Sequence, residues 1–179
     1  MLNKTKSQFY IIKYFIVFLF KINILLSHNV IDGLDIERFM GRWYVISLIP
    51  NWIEEGATNS YDDYVLNDDG TIGITYTVIR NGKVKTIKQK GIIVDENVPS
   101  RWEIQFLKPW IPFYKAPYEL IILDEDYNYM VVGYPDNSFG WIMARETSIK
   151  DEVYNEILNS LKKDFGYDES FFKKVIHDN

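Results

Sequence analysis

The chain predicts an all-β domain: an eight-stranded antiparallel up-and-down β-barrel, with a C-terminal α-helix packed outside and a short ninth strand. Three observations predict it. Between Gly41 and Arg145, short runs rich in β-branched and aromatic residues alternate with turn-forming residues at regular intervals, the pattern of a barrel or sandwich. Every connection between those runs is short enough for a hairpin, so successive strands pair as a meander. One stretch near the C-terminus has helical apolar periodicity and needs an apolar surface to cover. The 179 residues suffice for one domain of roughly 150 residues and a leader.

Taken in order, residues 1–28 read as an export leader: Lys4 and Lys6, then an apolar run from Tyr14 to Leu26 interrupted by Lys21. An uncleaved anchor is the alternative, although a spanning helix needs about 20 mostly apolar residues. Residues 29–179 form the single domain. Strands are expected at 41–48, 58–66, 71–79, 84–94, 102–107, 118–123, 127–133 and 139–145. Between them lie turn formers such as Asn67-Asp68-Asp69-Gly70, Asn81-Gly82 and Asp124-Glu125-Asp126, which tolerate positive φ or bond their own backbone. A helix follows, capped by Thr147 or Ser148, with Asp151 and Glu152 in its first turn, Lys162 and Lys163 in its last, and Gly166 as its stop. Ile149, Val153, Ile157, Leu161 and Phe165 make its apolar stripe, widened by Tyr154 and Leu158. The last apolar run, 171–176, is expected to add the ninth strand beside the first.

Composition removes several functions. Lys and Arg number 20 against 25 Asp and Glu. Without the four leader lysines the balance is 16 against 25, a net of −9, which repels phosphate backbones, so no nucleic-acid partner is expected. There is no cysteine, hence no disulfide, thiolate site or cysteine lipidation. The histidines are His28 and His177, too few and too near the ends for triad or zinc chemistry. No metal and no cofactor is expected.

Gly41-Arg42-Trp43-Tyr44 and Arg145, at the two ends of the strand series, carry a resemblance to the lipocalin family. Gly41 and Trp43 match its Gly-x-Trp signature. The extension through Val45-Ile46-Ser47-Leu48-Ile49-Pro50-Asn51-Trp52, with Gly133-Tyr134-Pro135-Asp136 and Trp141-Ile142-Met143-Ala144-Arg145, resembles the bacterial outer-membrane lipocalins and their apolipoprotein-D-like relatives. The resemblance implies that residues 34–40 close the barrel bottom, that Arg145 stacks on Trp43, and that the barrel is hollow. It implies binding, storage or transport of small hydrophobic ligands, foremost fatty acids or lysophospholipids, in bacterial envelope lipid maintenance, without catalysis. Members of the bacterial branch are anchored through an acylated cysteine, which this chain lacks. The expected location is therefore exported: periplasmic, outer-membrane associated without a lipoprotein anchor, or secreted.

Strand parity selects the ligand site. Tyr64, Leu66, Ile74, Tyr76, Trp102, Ile104, Phe106, Tyr118 and Leu120 fall on the inward parity, together with Ile122 and one carboxylate, Asp62. Glu119 falls on the outer, wetted parity. Parity alone fits a packed core as well as a calyx. Trp52, in the 50–57 loop, and Trp110 and Phe113, in a long 108–116 loop, are expected at the open mouth. Arg80, Lys83, Lys108 and Lys115 are expected there to meet an anionic head group, with Glu54, Glu55 and Asp136 on the same rim. The aromatic and lysine-bearing mouth equally suits a membrane surface or a homodimer contact. A lipid-modifying enzyme would need a second inward carboxylate. A haem-binding barrel would need a ligand such as Tyr76 or Tyr118, since Met130 and Met143 read as core.

Overall fold

A computed structural model describes residues 27–51 and 54–178; of the expected leader, 1–28, all but the last two residues lie outside them. A helical turn, α1 (Ile36–Phe39), precedes eight strands: β1 (Gly41–Leu48), β2 (Thr58–Leu66), β3 (Ile72–Arg80), β4 (Lys83–Ile93), β5 (Arg101–Lys108), β6 (Trp110–Leu123), β7 (Tyr129–Gly133) and β8 (Gly140–Ala144). Then come α2 (Asp151–Phe165), a 3₁₀ turn (Glu169–Phe171) and β9 (Lys173–Lys174). Each strand pairs antiparallel with the next, and β1 pairs with both β8 and β2, which closes the barrel. β9 extends the sheet beside β1 through Ser47 and Leu48, while Ile176 bridges Thr58.

The floor is an aromatic plug. Phe39 from α1 lies 5.3 Å from Trp43, 5.4 Å from Tyr64 and 5.5 Å from Trp102, ring centre to ring centre. Arg145 closes it from outside: its guanidinium carbon sits 3.8 Å from the Trp43 ring centre. Its nitrogens donate to the carbonyls of Arg42 (2.9 Å), Arg38 (2.9 Å) and Phe39 (3.0 Å). The Phe39 carbonyl also accepts Trp43 Nε1 at 2.8 Å. Gly41 is needed beside it, with φ at +95° and Arg145 Nη1 only 3.4 Å from where a Cβ would stand.

Helix α2 covers one outer wall with Tyr154, Ile157 and Leu161, packed on Ile46, Ile121, Val131, Ile142 and Ala144. Two register shifts make this wall apolar on both faces. One lies in β1 between Val45 and Ser47, the other in β6 between Leu120 and Ile122. Each sends two consecutive residues toward the helix. Ser47 Oγ accepts from Tyr154 Oη at 3.0 Å, and Ile122 packs in the helix cluster, which corrects its inward assignment. Leu123, expected with Ile121 under the helix, packs instead against the barrel-side core.

Four further expectations change. The helix N-cap is Lys150, with no side-chain cap bond, rather than Thr147 or Ser148. The ninth strand is only two residues long. The expected 108–116 loop is the outer half of β6, pairing back on β5 from Leu107↔Trp110 to Gln105↔Lys115. Glu119 is buried instead of wetted. It accepts from Ser27 Oγ at 2.7 Å, pairs with His28 Nδ1 at 2.8 Å, and lies 3.4 Å from Arg101 Nε. His28 Nε2 reaches Asn137 Oδ1 at 2.7 Å, and its ring stacks on Tyr167. Ser27 and His28, the last two residues of the expected leader, are thus strapped across β5, β6 and the helix end.

Two outcomes follow for stability. Arg145→Ala removes the stack and the guanidinium's donors to the carbonyls of Arg42, Arg38 and Phe39, the last of which keeps Trp43 Nε1, so thermal unfolding should show a loss of roughly 2–4 kcal/mol, with ligand affinity within a few-fold of wild type. Burial raises the Glu119 pKa, but the hydrogen bonds from His28 and Ser27 outweigh it and hold the carboxyl below its usual range. Its folded pKa is therefore depressed, and its contribution is present at neutral pH and lost as pH falls through the carboxylate range. Glu119→Gln should lower the melting temperature at pH 7, and the gap to wild type should narrow on acidification.

Candidate functional site: an apolar cavity with buried carboxyls

Above the aromatic floor the barrel encloses a cavity of about 190 Å³. Inward positions of β2 to β6 supply Tyr64, Ile74, Tyr76, Ile87, Gln89, Ile104, Phe106, Ala116, Pro117 and Tyr118. The opposite wall adds Val132, Tyr134, Phe139, Trp141 and Met143. Trp102 lies below, stacked on Tyr118 with centres 4.6 Å apart and planes 7° from parallel. Gly91 makes room for it, since a Cβ there would stand 3.2 Å from the indole.

Six of the expected lining residues therefore meet around one space: Tyr64, Ile74, Tyr76, Ile104, Phe106 and Tyr118. Trp102 and Leu120 are buried in the floor cluster instead. Leu66 is 36% exposed at the closed rim, away from the cavity. Trp110 and Phe113 are exposed on the β5–β6 hairpin arm, and Trp52 lies outside the described residues. Of the expected head-group cations, Lys83 and Lys108 are exposed on strand ends at the open side, and Arg80 is half-buried at the end of β3. Lys115 is engaged by Glu103 on the outer face of the hairpin.

Glu54 is the residue sequence reasoning misplaced. It turns inward from the β1–β2 loop and is 8% exposed, held by Trp141 Nε1 at 2.8 Å and by Asn51 Nδ2. No periodicity in a loop could have marked it as inward. Asp62, one pleat above Tyr64, faces inward as its parity predicts. It lines the cavity wall with Oδ1 shielded from solvent and without a hydrogen-bond partner, and Oδ2 accepts from Tyr64 Oη at 3.4 Å. Tyr64 and Tyr118 hydroxyls are 3.2 Å apart. Burial pushes the Glu54 carboxyl up to about 7. Burial, followed by the charge of Glu54, pushes Asp62 up to about 7. The same burial raises the phenols of Tyr64, Tyr76 and Tyr118, so they remain neutral donors. Among the described residues no three histidine or carboxylate side chains converge as a metal site.

A closed eight-stranded meander around an apolar cavity, with a helix outside, defines a container for small hydrophobic molecules. The chain belongs to the lipocalin family: the Lipocalin-like domain model matches residues 34–177. It is 29% identical over 152 residues to temperature-induced lipocalin-1 of Arabidopsis thaliana, covering 82% of this chain and 81% of that protein. It is 29% identical over 144 residues to the outer membrane lipoprotein Blc of Escherichia coli K12, covering 80% of each. The fold matches insecticyanin from the tobacco hornworm Manduca sexta with a TM-score of 0.67 at 14% identity, over 86% of both chains.

The carboxyls give the site a pH signature. A folded pKa raised to about 7 favours the protonated acid, so this contribution is complete below the unfolded carboxylate pKa near 4 and disappears as pH rises through 7. Melting temperature should fall for wild type between pH 5 and 8. Asp62→Asn should flatten that dependence and raise stability relative to wild type at pH 8; an unchanged slope would show that Asp62 is not titrating there.

Proposed function

We propose that this protein is a noncatalytic carrier or store of long-chain amphiphiles, foremost fatty acids and lysophospholipids, in an exported compartment. The observation that carries the reading is the mainly apolar lining of the open-mouthed cavity. Each buried methylene contributes about 0.8 kcal/mol, so an acyl tail is held without any chemistry. With the tail inside, a carboxylate or phosphate sits at the mouth, where Lys83 and Lys108 stand. The second carboxylate an acid–base enzyme would use is present as Glu54, but its oxygens are occupied by Trp141 and Asn51, which favours a binding role.

Exposed Trp110, Ile111, Phe113 and Tyr114 on the hairpin arm support loading and unloading at a membrane surface, where aromatic rings and lysines prefer the interface. The likeness to an outer membrane lipoprotein supports lipid maintenance at a cell envelope. With no cysteine, attachment would rest on the leader or on this arm rather than on an acyl anchor.

Titration with lauric acid, lauryl alcohol and a lysophospholipid tests the reading. Ile104→Trp fills the tail space and should weaken all three by about tenfold, or about 1.4 kcal/mol. The double change Lys83→Ala and Lys108→Ala should weaken only the two ligands with an anionic group, by about threefold, since exposed pairs contribute roughly 0.2–1 kcal/mol. Correctly folded protein that binds none of them would overturn the carrier function.

A further inference from the structure

The tail-in reading leaves the carboxyls inside the barrel without a task. We propose that the cavity holds a cation subsite at depth, in which Asp62, supported by Glu54 and the hydroxyls of Tyr64 and Tyr118, takes the ammonium group of a primary alkylamine inserted head first. This rests on the reading that the barrel is a ligand container, and it adds a ligand class that an apolar calyx alone does not select.

Asp62 carries the argument. Its Oδ1 is shielded from solvent and has no protein partner, and its other oxygen has only the 3.4 Å contact from Tyr64. A buried carboxyl left in that state is destabilising, and a donor delivered by a ligand relieves it. Glu54 is fixed by Trp141 and Asn51, and its negative charge acts on Asp62. Among the described residues that line the cavity there is no lysine, arginine or histidine to offset the two acids. The charged and titratable groups acting on Asp62 are Glu54 from the β1–β2 loop, Asp63 and Tyr64 from β2, and Tyr118 from β6. Tyr76 on β3 feels both carboxyls, and Arg80 at the end of β3 acts on it.

The ligand chemistry follows from this set. A carboxylate inserted to this depth meets two acids and is repelled. An alcohol supplies one donor and no charge. An ammonium supplies charge and three donors, matching a carboxylate and two phenolic oxygens. Ile74, Ile104, Phe106 and Val132 line the same cavity and take the alkyl chain, which runs toward the mouth.

Isothermal titration of the full chain with decylammonium, decanol and decanoate, at pH 8 and pH 5, tests the subsite. At pH 8 decylammonium should bind at least about tenfold more tightly than decanoate, about 1.4 kcal/mol. Its affinity should fall at pH 5, where the carboxyls are protonated while the amine remains charged. Asp62→Asn should remove most of the amine preference and leave decanol within about threefold; Glu54→Gln should reduce it by less. Near-UV circular dichroism checks the fold of each variant, and the wild-type preference stands as a test by itself. Decanoate binding as tightly as decylammonium, or a folded Asp62→Asn that weakens all three alike, overturns the subsite while leaving the carrier function intact. Failure of all three to bind folded wild type overturns both.

Discussion

The seam between β8 and β1 has to be held at its lower end, because a meander closes into a barrel only where its first and last strands meet. Arg145 sits at that point. Its guanidinium covers Trp43 and satisfies three carbonyls from α1 and the start of β1. The Phe39 carbonyl, shared between Arg145 and Trp43 Nε1, ties α1 to the same point, so the helical turn becomes the barrel's bottom. Phe39 then plugs the floor against Tyr64 and Trp102. The cavity exists because this plug ends below Tyr118: the lower barrel is packed solid, and the space begins where the large rings stop.

The strands that carry the helix differ from those that do not. β7, β8 and the adjoining parts of β1 and β6 are buried on both faces, with core residues inside and Tyr154, Ile157 and Leu161 outside. The strap around His28 and Glu119 adds a polar clasp to that side. On the far side, β4 presents Lys83, Lys85, Lys88 and Lys90 outward or half-outward, and the β5–β6 arm carries exposed rings. Local stability follows buried apolar contact. The helix-covered wall is therefore the fixed half of the barrel, and the two hairpins at the open side are the less supported half.

Much of this was legible because barrel strands obey a period of two. The limits of β1 and β2 coincide with those expected, and the Trp43–Arg145 pairing sits where the family resemblance placed it. Parity misled where a bulge intervened: Ile122 moved from the barrel to the helix face after one inserted residue in β6. It also failed where it has no purchase. The start of β6, expected as a loop, contains Pro112 and Pro117, which the strand tolerates where it pairs with β5 alone. Glu54 sits in a loop and Glu119 finds its partner 91 residues away, so no local pattern carries either burial.

The buried acids and the outer lysines divide the electrostatics of this barrel by depth. Outside, Lys83 and Lys108 stand in water, where an exposed pair is worth little and is screened by salt. Inside, Asp62 and Glu54 are held in a poorly solvated space, where the same unit of charge acts more strongly. A tail-in anion gains only the weak outer term, and its binding is governed by chain length. A head-in cation meets the strong inner term, and its binding is governed by charge and pH. On the two proposed readings, the classes of amphiphile are separated by the direction in which they enter one cavity, over a shared apolar lining.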